Sequence, residues 1–292
     1  MAERFSVVLS GGGCKTFWAV GALEVLDAQM PKVDDWAGVS AGAAMALGRV
    51  AGNFEHSFSR FLDSVAANQR NFYPGRALRR QPAFPHDTMY RKAVGDLLRD
   101  QGFVRIREGA PVHILLSYVH AGRPFVPTTL SAVQAFAERR LRGVLHGPPE
   151  LPPGIGAEVV CSHAALDPGQ LIDWTLMSST IPPITPIKRK AGRRYLDGGL
   201  IDNLPIRALP DHARAPGSKI LCLVSHNLRV PEHPVLHPDG AAILYVAAQD
   251  QLPVRVWDYT SPERVHAAMD LGRRDALEQR ERIARFLDGG LL

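Results

Sequence analysis

Cysteine is scarce in this chain: three residues, Cys14, Cys161 and Cys222, stand far apart among 292. An odd, scattered set excludes a disulfide scaffold and fits a reducing, cytoplasmic compartment. Long apolar runs are missing too. The longest, such as Val112 to Leu116, are strand-sized, and charge, proline or histidine breaks each one well short of the ~18 residues that a membrane-spanning helix needs. No His/Cys/Asp/Glu group has metal-ligand spacing, so no metal or other cofactor is expected. Nucleic-acid binding lacks both a recognition motif and aromatics interleaved with basic residues. A secretory leader is not expected, because the N-terminus runs within a few residues into a strand. Internal repeats and linker-like stretches are also missing, which argues for one domain over residues 1–292.

What is present suits a globular α/β protein: 46% hydrophobic and 22% charged residues, with a formal charge of +5. Phe5 to Leu9 is a short β-branched run that leads into Ser10-Gly11-Gly12-Gly13-Cys14-Lys15-Thr16 and then a helical stretch, Phe17 to Leu26. Three consecutive glycines let backbone N–H groups converge, and the following helix adds partial positive charge, so the segment suits an oxyanion or a phosphate. Lys15-Thr16 imitates the end of a nucleotide-binding P-loop, but that pattern needs glycine at the positions of Cys14 and Leu9. Nucleotide binding is therefore not expected.

Gly38-Val39-Ser40-Ala41-Gly42 places a serine between glycines two positions away on either side. A serine hydroxyl becomes a useful nucleophile when a sharp strand-to-helix turn presents it to a base, and small flanking residues make that turn possible. The same five residues also fit an ordinary tight turn. Further on, the strand-like Arg193-Arg194-Tyr195-Leu196 ends in Asp197-Gly198-Gly199, which presents a carboxylate at a strand end where the backbone is free to turn.

The glycine run, the Gly-x-Ser-x-Gly elbow and the Asp-Gly-Gly phrase, preceded by Ser-Ser-Thr-Ile-Pro-Pro (Ser178 to Pro183), occur in the order that resembles the patatin-like phospholipase family. The match is good over about residues 4–50 and 171–210 and looser over Pro111 to Gly122. The resemblance implies a three-layer α/β/α fold with a mostly parallel sheet, a motif core over about 4–210, and a C-terminal strand and covering helix over about 219–288. It also implies a lipid acyl hydrolase of phospholipase A type. Ser40 would be the nucleophile, Asp197 the proton acceptor of a Ser–Asp dyad, and Gly11, Gly12 and Gly13 the oxyanion hole. Lys15, Gly38, Gly42, Gly198 and Gly199 would support the motifs. Thr16 departs from the glycine usual in the family, and its hydroxyl is expected to cap the following helix. A carboxylate base has a reference pKa of about 3.9 against about 6.5 for histidine, so activity is expected to persist to lower pH than in a histidine-based hydrolase.

Two other readings remain. A soluble carboxylesterase of the Ser-His-Asp α/β-hydrolase type would use Ser40, Asp197 and His226, although such folds build several strands before the elbow. A catalytically silent patatin-like module would bind lipid without turnover. The expected partners are a lipid or ester substrate and, through the basic turn Lys188 to Arg194, peripheral contact with an anionic membrane surface. A solvated hairpin tip explains that turn equally well.

Further helices are expected over Phe54 to Asn68, over Thr88 to Arg99 with Asp87 as its cap, and from Ser261 to Asp288. Glu158 to His163 and Lys219 to Ser225 read as core strands. The Pro/Arg/aromatic stretch Asn71 to Pro85 suits a surface loop or a lid, and Gly143 to Gly156 a second surface excursion.

Overall fold

A computed structural model describes residues 4–79, 81–148 and 150–289. Positions 80 and 149, inside the two surface stretches, lie outside the described residues.

The first half of the chain alternates strands and helices: β1 (Phe5–Leu9), α1 (Phe17–Leu26), β2 (Asp35–Val39), α2 (Ala41–Ala51), then α3 (Phe54–Ala66), α4 (Pro74–Leu78), α5 (His86–Leu97) and α6 (Gly102–Glu108), before β3 (Val112–Val119). The second half continues with α7 (Phe125–Leu141), β4 (Ile155–Cys161), α8 (Pro168–Ser178), the hairpin β5 (Arg189–Lys190) and β6 (Arg193–Leu196), and α9 (Asp211–Arg214). It closes with β7 (Lys219–Val224), β8 (Val235–Leu236), β9 (Ala242–Ala247), α10 (Pro262–Glu278) and α11 (Arg280–Leu287).

The strands form one mixed sheet in the order β5-β6-β3-β2-β1-β7-β9-β8, with β4 also paired to β3. Its centre, β3-β2-β1-β7-β9, is parallel, and antiparallel pairs lie at both ends. Strands buried on both faces read as unbroken apolar runs. That is why Ile220-Leu221-Cys222-Leu223-Val224 shows no polar alternation: Leu221 and Leu223 pack with α1 and α10, whereas Ile220, Cys222 and Val224 pack with Leu209 and Ala213 on the opposite face. Helices on both faces give the three-layer α/β/α arrangement expected from the sequence.

The terminal helix packs on α1, where Trp18 Nε1 donates to Asp275 Oδ2 on α10 at 2.8 Å. It is two helices, however, because Gln279 leaves the helical region between α10 and α11. Asp87 is not the cap of α5. Pro85 occupies that position, and the Asp87 carboxylate instead pairs with Lys188 Nζ at 2.7 Å. The expected strand over Glu158 to His163 lies earlier, over Ile155–Cys161, and its end becomes a single turn. The buried strand Ala242-Ile243-Leu244-Tyr245-Val246-Ala247 was not anticipated from its sequence.

Candidate active site

At the C-terminal ends of the central strands the three motifs converge on one cleft of about 480 Å³ whose walls include Gly12, Gly13, Ser40, Tyr90, Asp197 and His226. Ligand sites in open α/β sheets form at this end, because loops leave the strands there in diverging directions.

Ser40 joins β2 to α2 with φ 54° and ψ −132°, a conformation unfavourable for any residue bearing a side chain. Its surroundings hold it there. The Ser40 N–H donates to Ser178 Oγ at 2.8 Å, and the Ser178 hydroxyl in turn donates to the Leu115 carbonyl at 2.8 Å. The Ser40 carbonyl accepts from the Tyr90 hydroxyl at 3.3 Å and from the Ala43 N–H at 3.1 Å. The flanking glycines are required by close approach: a Cβ on Gly42 would lie 2.4 Å from the Ser10 carbonyl oxygen, and one on Gly38 would lie 2.7 Å from the Ala43 nitrogen.

The glycine loop divides into two parts. Gly11 donates its N–H to the Asn203 carbonyl at 3.2 Å and does not line the cleft, so it is not placed to share the oxyanion role expected for all three glycines. Gly12 and Gly13 do line the cleft, and among the described residues no protein acceptor takes up their N–H groups. Val256 fixes the loop from behind. Its carbonyl accepts from Cys14 N–H at 2.9 Å and would lie 2.0 Å from a Cβ on Gly13, where φ is also +55°.

Cys14 is buried, donates to the Asp258 carbonyl at 3.4 Å, and has its thiol pushed far up by burial, which suits a filler and not a nucleophile. Thr16 does not accept a capping bond. Its hydroxyl donates back to the Gly13 carbonyl at 2.7 Å and so stiffens the loop by a different route from the one expected. Lys15 is half-buried, and burial followed by the Arg140 charge lowers its pKa.

Asp197 follows β6 and is 6% exposed. Its N–H donates to the Thr180 carbonyl at 2.7 Å, its carbonyl accepts from Ser117 Oγ at 3.0 Å, and its Oδ1 accepts from Gly199 N–H at 2.7 Å. Gly198 fits directly over β3, where a Cβ would meet the Leu115 carbonyl oxygen at 2.4 Å. Burial raises the Asp197 carboxyl to about 6, opposed by hydrogen bonds from the Ser40 side chain and the Gly199 N–H. The low-pH activity expected from an ordinary carboxylate is therefore corrected: desolvation lifts this group almost to the histidine range.

His226 shares the cleft but lacks the features of a triad base. Burial, then Arg140 and Lys15, lower its pKa to about 3, and its buried Nδ1 has no hydrogen-bond partner among the described residues. Among the described residues no carboxylate orients it.

Ser178 and Asn203 were within reach of sequence reasoning, since Ser178 opens the Ser-Ser-Thr phrase and Asn203 follows four residues after Gly199. Tyr90 and the wall formed by Val256, Trp257 and Tyr259 carry no local motif, and tertiary packing alone brings them to the cleft. The basic hairpin is largely engaged within the protein. Lys188 pairs with Asp87, Arg193 pairs with Glu158 at 3.0 Å and covers the Tyr118 ring, and Arg194 covers the Phe125 ring. Among the described residues no helix is long and apolar enough to cross a membrane.

A family model described as patatin-like phospholipase matches residues 7–210. Among solved structures, the crystal structure of VipD from Legionella pneumophila is similar at a TM-score of 0.42 and 11% identity, over 96% of this chain and 67% of that one. No curated protein matched the sequence.

Proposed function

The chain belongs to the patatin-like phospholipase family, and on that premise we propose that it hydrolyses acyl esters of lipids with a Ser40–Asp197 dyad. The observation that carries this reading is the convergence of two groups on one cleft: Ser40, at the tip of a strained strand-to-helix turn, and the buried Asp197 carboxylate.

Asp197 accepts the Ser40 proton while Oγ attacks the ester carbonyl. The Gly12 and Gly13 N–H groups hold the developing oxyanion, and the N-terminus of α2 adds its partial positive charge. The proton then passes from Asp197 to the leaving alcohol as the C–O bond breaks, which leaves Ser40 acylated. Water repeats the attack, with Asp197 taking its proton and returning it to Ser40 Oγ as the acyl bond to Ser40 breaks and the fatty acid leaves. General-base assistance of this kind contributes about 10²–10⁴ in rate, and each oxyanion donor about 10²–10³. Gly11 serves instead to tether the loop to Asn203. The Ser-His-Asp alternative is disfavoured by the solitary, uncharged imidazole of His226.

Hydrolysis of a short-chain ester and of phospholipid vesicles by the wild type, Ser40→Ala and Asp197→Asn tests the proposal. Turnover by the wild type with loss of at least 10²-fold in both variants is expected. Equal rates in all three would overturn it.

A further inference from the structure

The helix α7 carries two apolar sides, and the protein covers only one of them. Its inner side packs down through Thr128 and Ala132, which are buried. Val126, Leu130, Val133, Ala137 and Leu141 recur every three or four residues and are all exposed, Val126, Leu130 and Leu141 by 64%, 62% and 88%. At 3.6 residues per turn they fall within about 80° of one another, on a strip separate from the buried side. Single exposed apolar residues need no explanation, but a continuous strip marks a surface that meets another apolar phase.

The strip borders the cleft that holds Ser40. Val133 belongs to both, since it lines that cleft and is 43% exposed, and Thr129, Phe136 and Arg140 of the same helix continue the wall. Trp257 also lines the cleft and is as exposed as Val133, whereas Trp18, Trp36 and Trp174 are buried. From there the segment before α5 extends the rim: the exposed Phe72 ring meets Phe84 at 5.0 Å, and Phe84 lies 6.1 Å from His86 of the cleft wall. Apolar side chains thus reach the mouth from separate stretches of the chain.

The charge around these stretches has one sign. Residues 121–148 carry four arginines against a single acid, Glu138, and residues 69–86 carry four arginines and no acid. Arg139 is turned inward to the Leu200 carbonyl at 2.6 Å, but Arg140 and Arg142 are exposed and have no acidic partner among the described residues.

We propose that α7, together with Trp257 and Phe72, is the face by which the protein docks on an anionic lipid bilayer, with the cleft mouth turned to the membrane. The inference rests on the lipid-hydrolase reading for its choice of partner. Helices that lie in a membrane surface combine an apolar face with flanking basic residues, and tryptophan favours the boundary between head groups and chains. Anionic head groups also neutralise the arginines. A second copy of this chain fits less well. The strip measures about 25 Å by ~10 Å, about 250 Å² against the ~800 Å² per partner of a stable interface, and pairing it with itself would bring like charges together. The hairpin β5–β6 is the rival basic surface, but it offers the exposed Arg189 and Lys190 with no apolar strip beside them.

The test is co-sedimentation of the full chain, carrying Ser40→Ala so that the lipid stays intact, with phosphatidylcholine vesicles that do or do not contain phosphatidylglycerol. Binding to the anionic vesicles is expected, weakening as salt rises, with the emission of Trp257 moving to the blue. The double variant Val126→Ser/Leu130→Ser should lose at least about 10-fold in partitioning and Arg142→Gln about 5-fold, whereas Arg189→Gln/Lys190→Gln should lose nothing. The replaced α7 residues are exposed, so the unfolding midpoint should stay where it is. Absence of binding to anionic vesicles overturns the proposal, as does release by the hairpin variant and not by the α7 variants. A wild-type dimer that the double variant converts to monomer would make the strip a subunit interface and overturn it too. With Ser40 restored, the α7 variants should lose vesicle hydrolysis while keeping the wild-type rate on a short soluble ester. Vesicle binding as described with no hydrolysis of any ester would sink the hydrolase reading alone.

Discussion

The Tyr90 hydroxyl donates to the Ser40 carbonyl oxygen across 3.3 Å and thereby ties α5 to the backbone of the elbow. Ser179 Oγ, also 3.3 Å away, supports the same hydroxyl. The contact restrains the residue with the least favourable backbone in the site, so Tyr90 acts as a positioning residue. In Tyr90→Phe the ring keeps its packing and only the hydrogen bond is lost. A net hydrogen bond of about 0.5–1.5 kcal/mol predicts that kcat falls about 2- to 10-fold, with KM for a short ester little changed. Steady-state kinetics check this; an unchanged kcat would remove Tyr90 from the elbow's support.

Ser178 gives a stronger version of the same argument, because it is fully buried and bridges the Ser40 N–H to the Leu115 carbonyl. Ser178→Ala strands one donor and one acceptor, each costing about 1–3 kcal/mol when water cannot reach them. The expected result is destabilisation of about 2–6 kcal/mol in chemical denaturation, together with a loss of activity larger than that of Tyr90→Phe.

The pH dependence follows from the burial of Asp197. The general base must be ionised, and its carboxyl is raised to about 6 by desolvation. Activity is therefore lost as pH falls through about 6, and log kcat/KM should descend with unit slope below it. His226 is held near 3 and is already neutral throughout that range, so His226→Gln should leave the acid limb in place. A limb that disappears with this substitution would transfer the base role to the imidazole.

The same shift carries a stability cost. The folded state holds the Asp197 proton more tightly than the unfolded chain does, so the contribution of this group is least favourable above pH 6 and improves as pH falls from about 6 towards 4. Asp197→Asn removes the buried charge and keeps much of the hydrogen bonding. It should unfold at higher denaturant at pH 7, by about 1–3 kcal/mol, with the advantage shrinking at pH 5. The variant would then be more stable and far less active, as expected where function maintains a locally unfavourable group. Denaturation of both proteins at the two pH values measures it.

How much of the site the sequence disclosed depended on how local each requirement is. Gly38 and Gly42 are read from sequence because their close contacts lie within the elbow or with the adjoining loop, and no other residue fits. Gly199 is legible for the same reason, since a Cβ there would meet Asp197 and Asn203, whereas Gly198 is required by the Leu115 carbonyl of β3, far away in the chain. Gly11 looked equivalent to Gly12 and Gly13, yet its donor is taken by Asn203, a residue far along the chain. Asp87 reads as a cap in sequence but meets Lys188 across the fold. The strand at Ala242–Ala247 escaped notice because a short apolar run does not declare its period.

The sequence by itself determined the strand–glycine loop–helix, the elbow and the Asp-Gly-Gly turn, because apolar runs ending in glycines mark a strand and its turn within a few consecutive residues. Tertiary structure alone decided which glycine N–H groups face the cleft, how far burial raises Asp197, and that Tyr90 and Ser178 hold Ser40 in place. Those properties depend on desolvation and on contacts between residues distant in the chain, and neither leaves a local pattern to read.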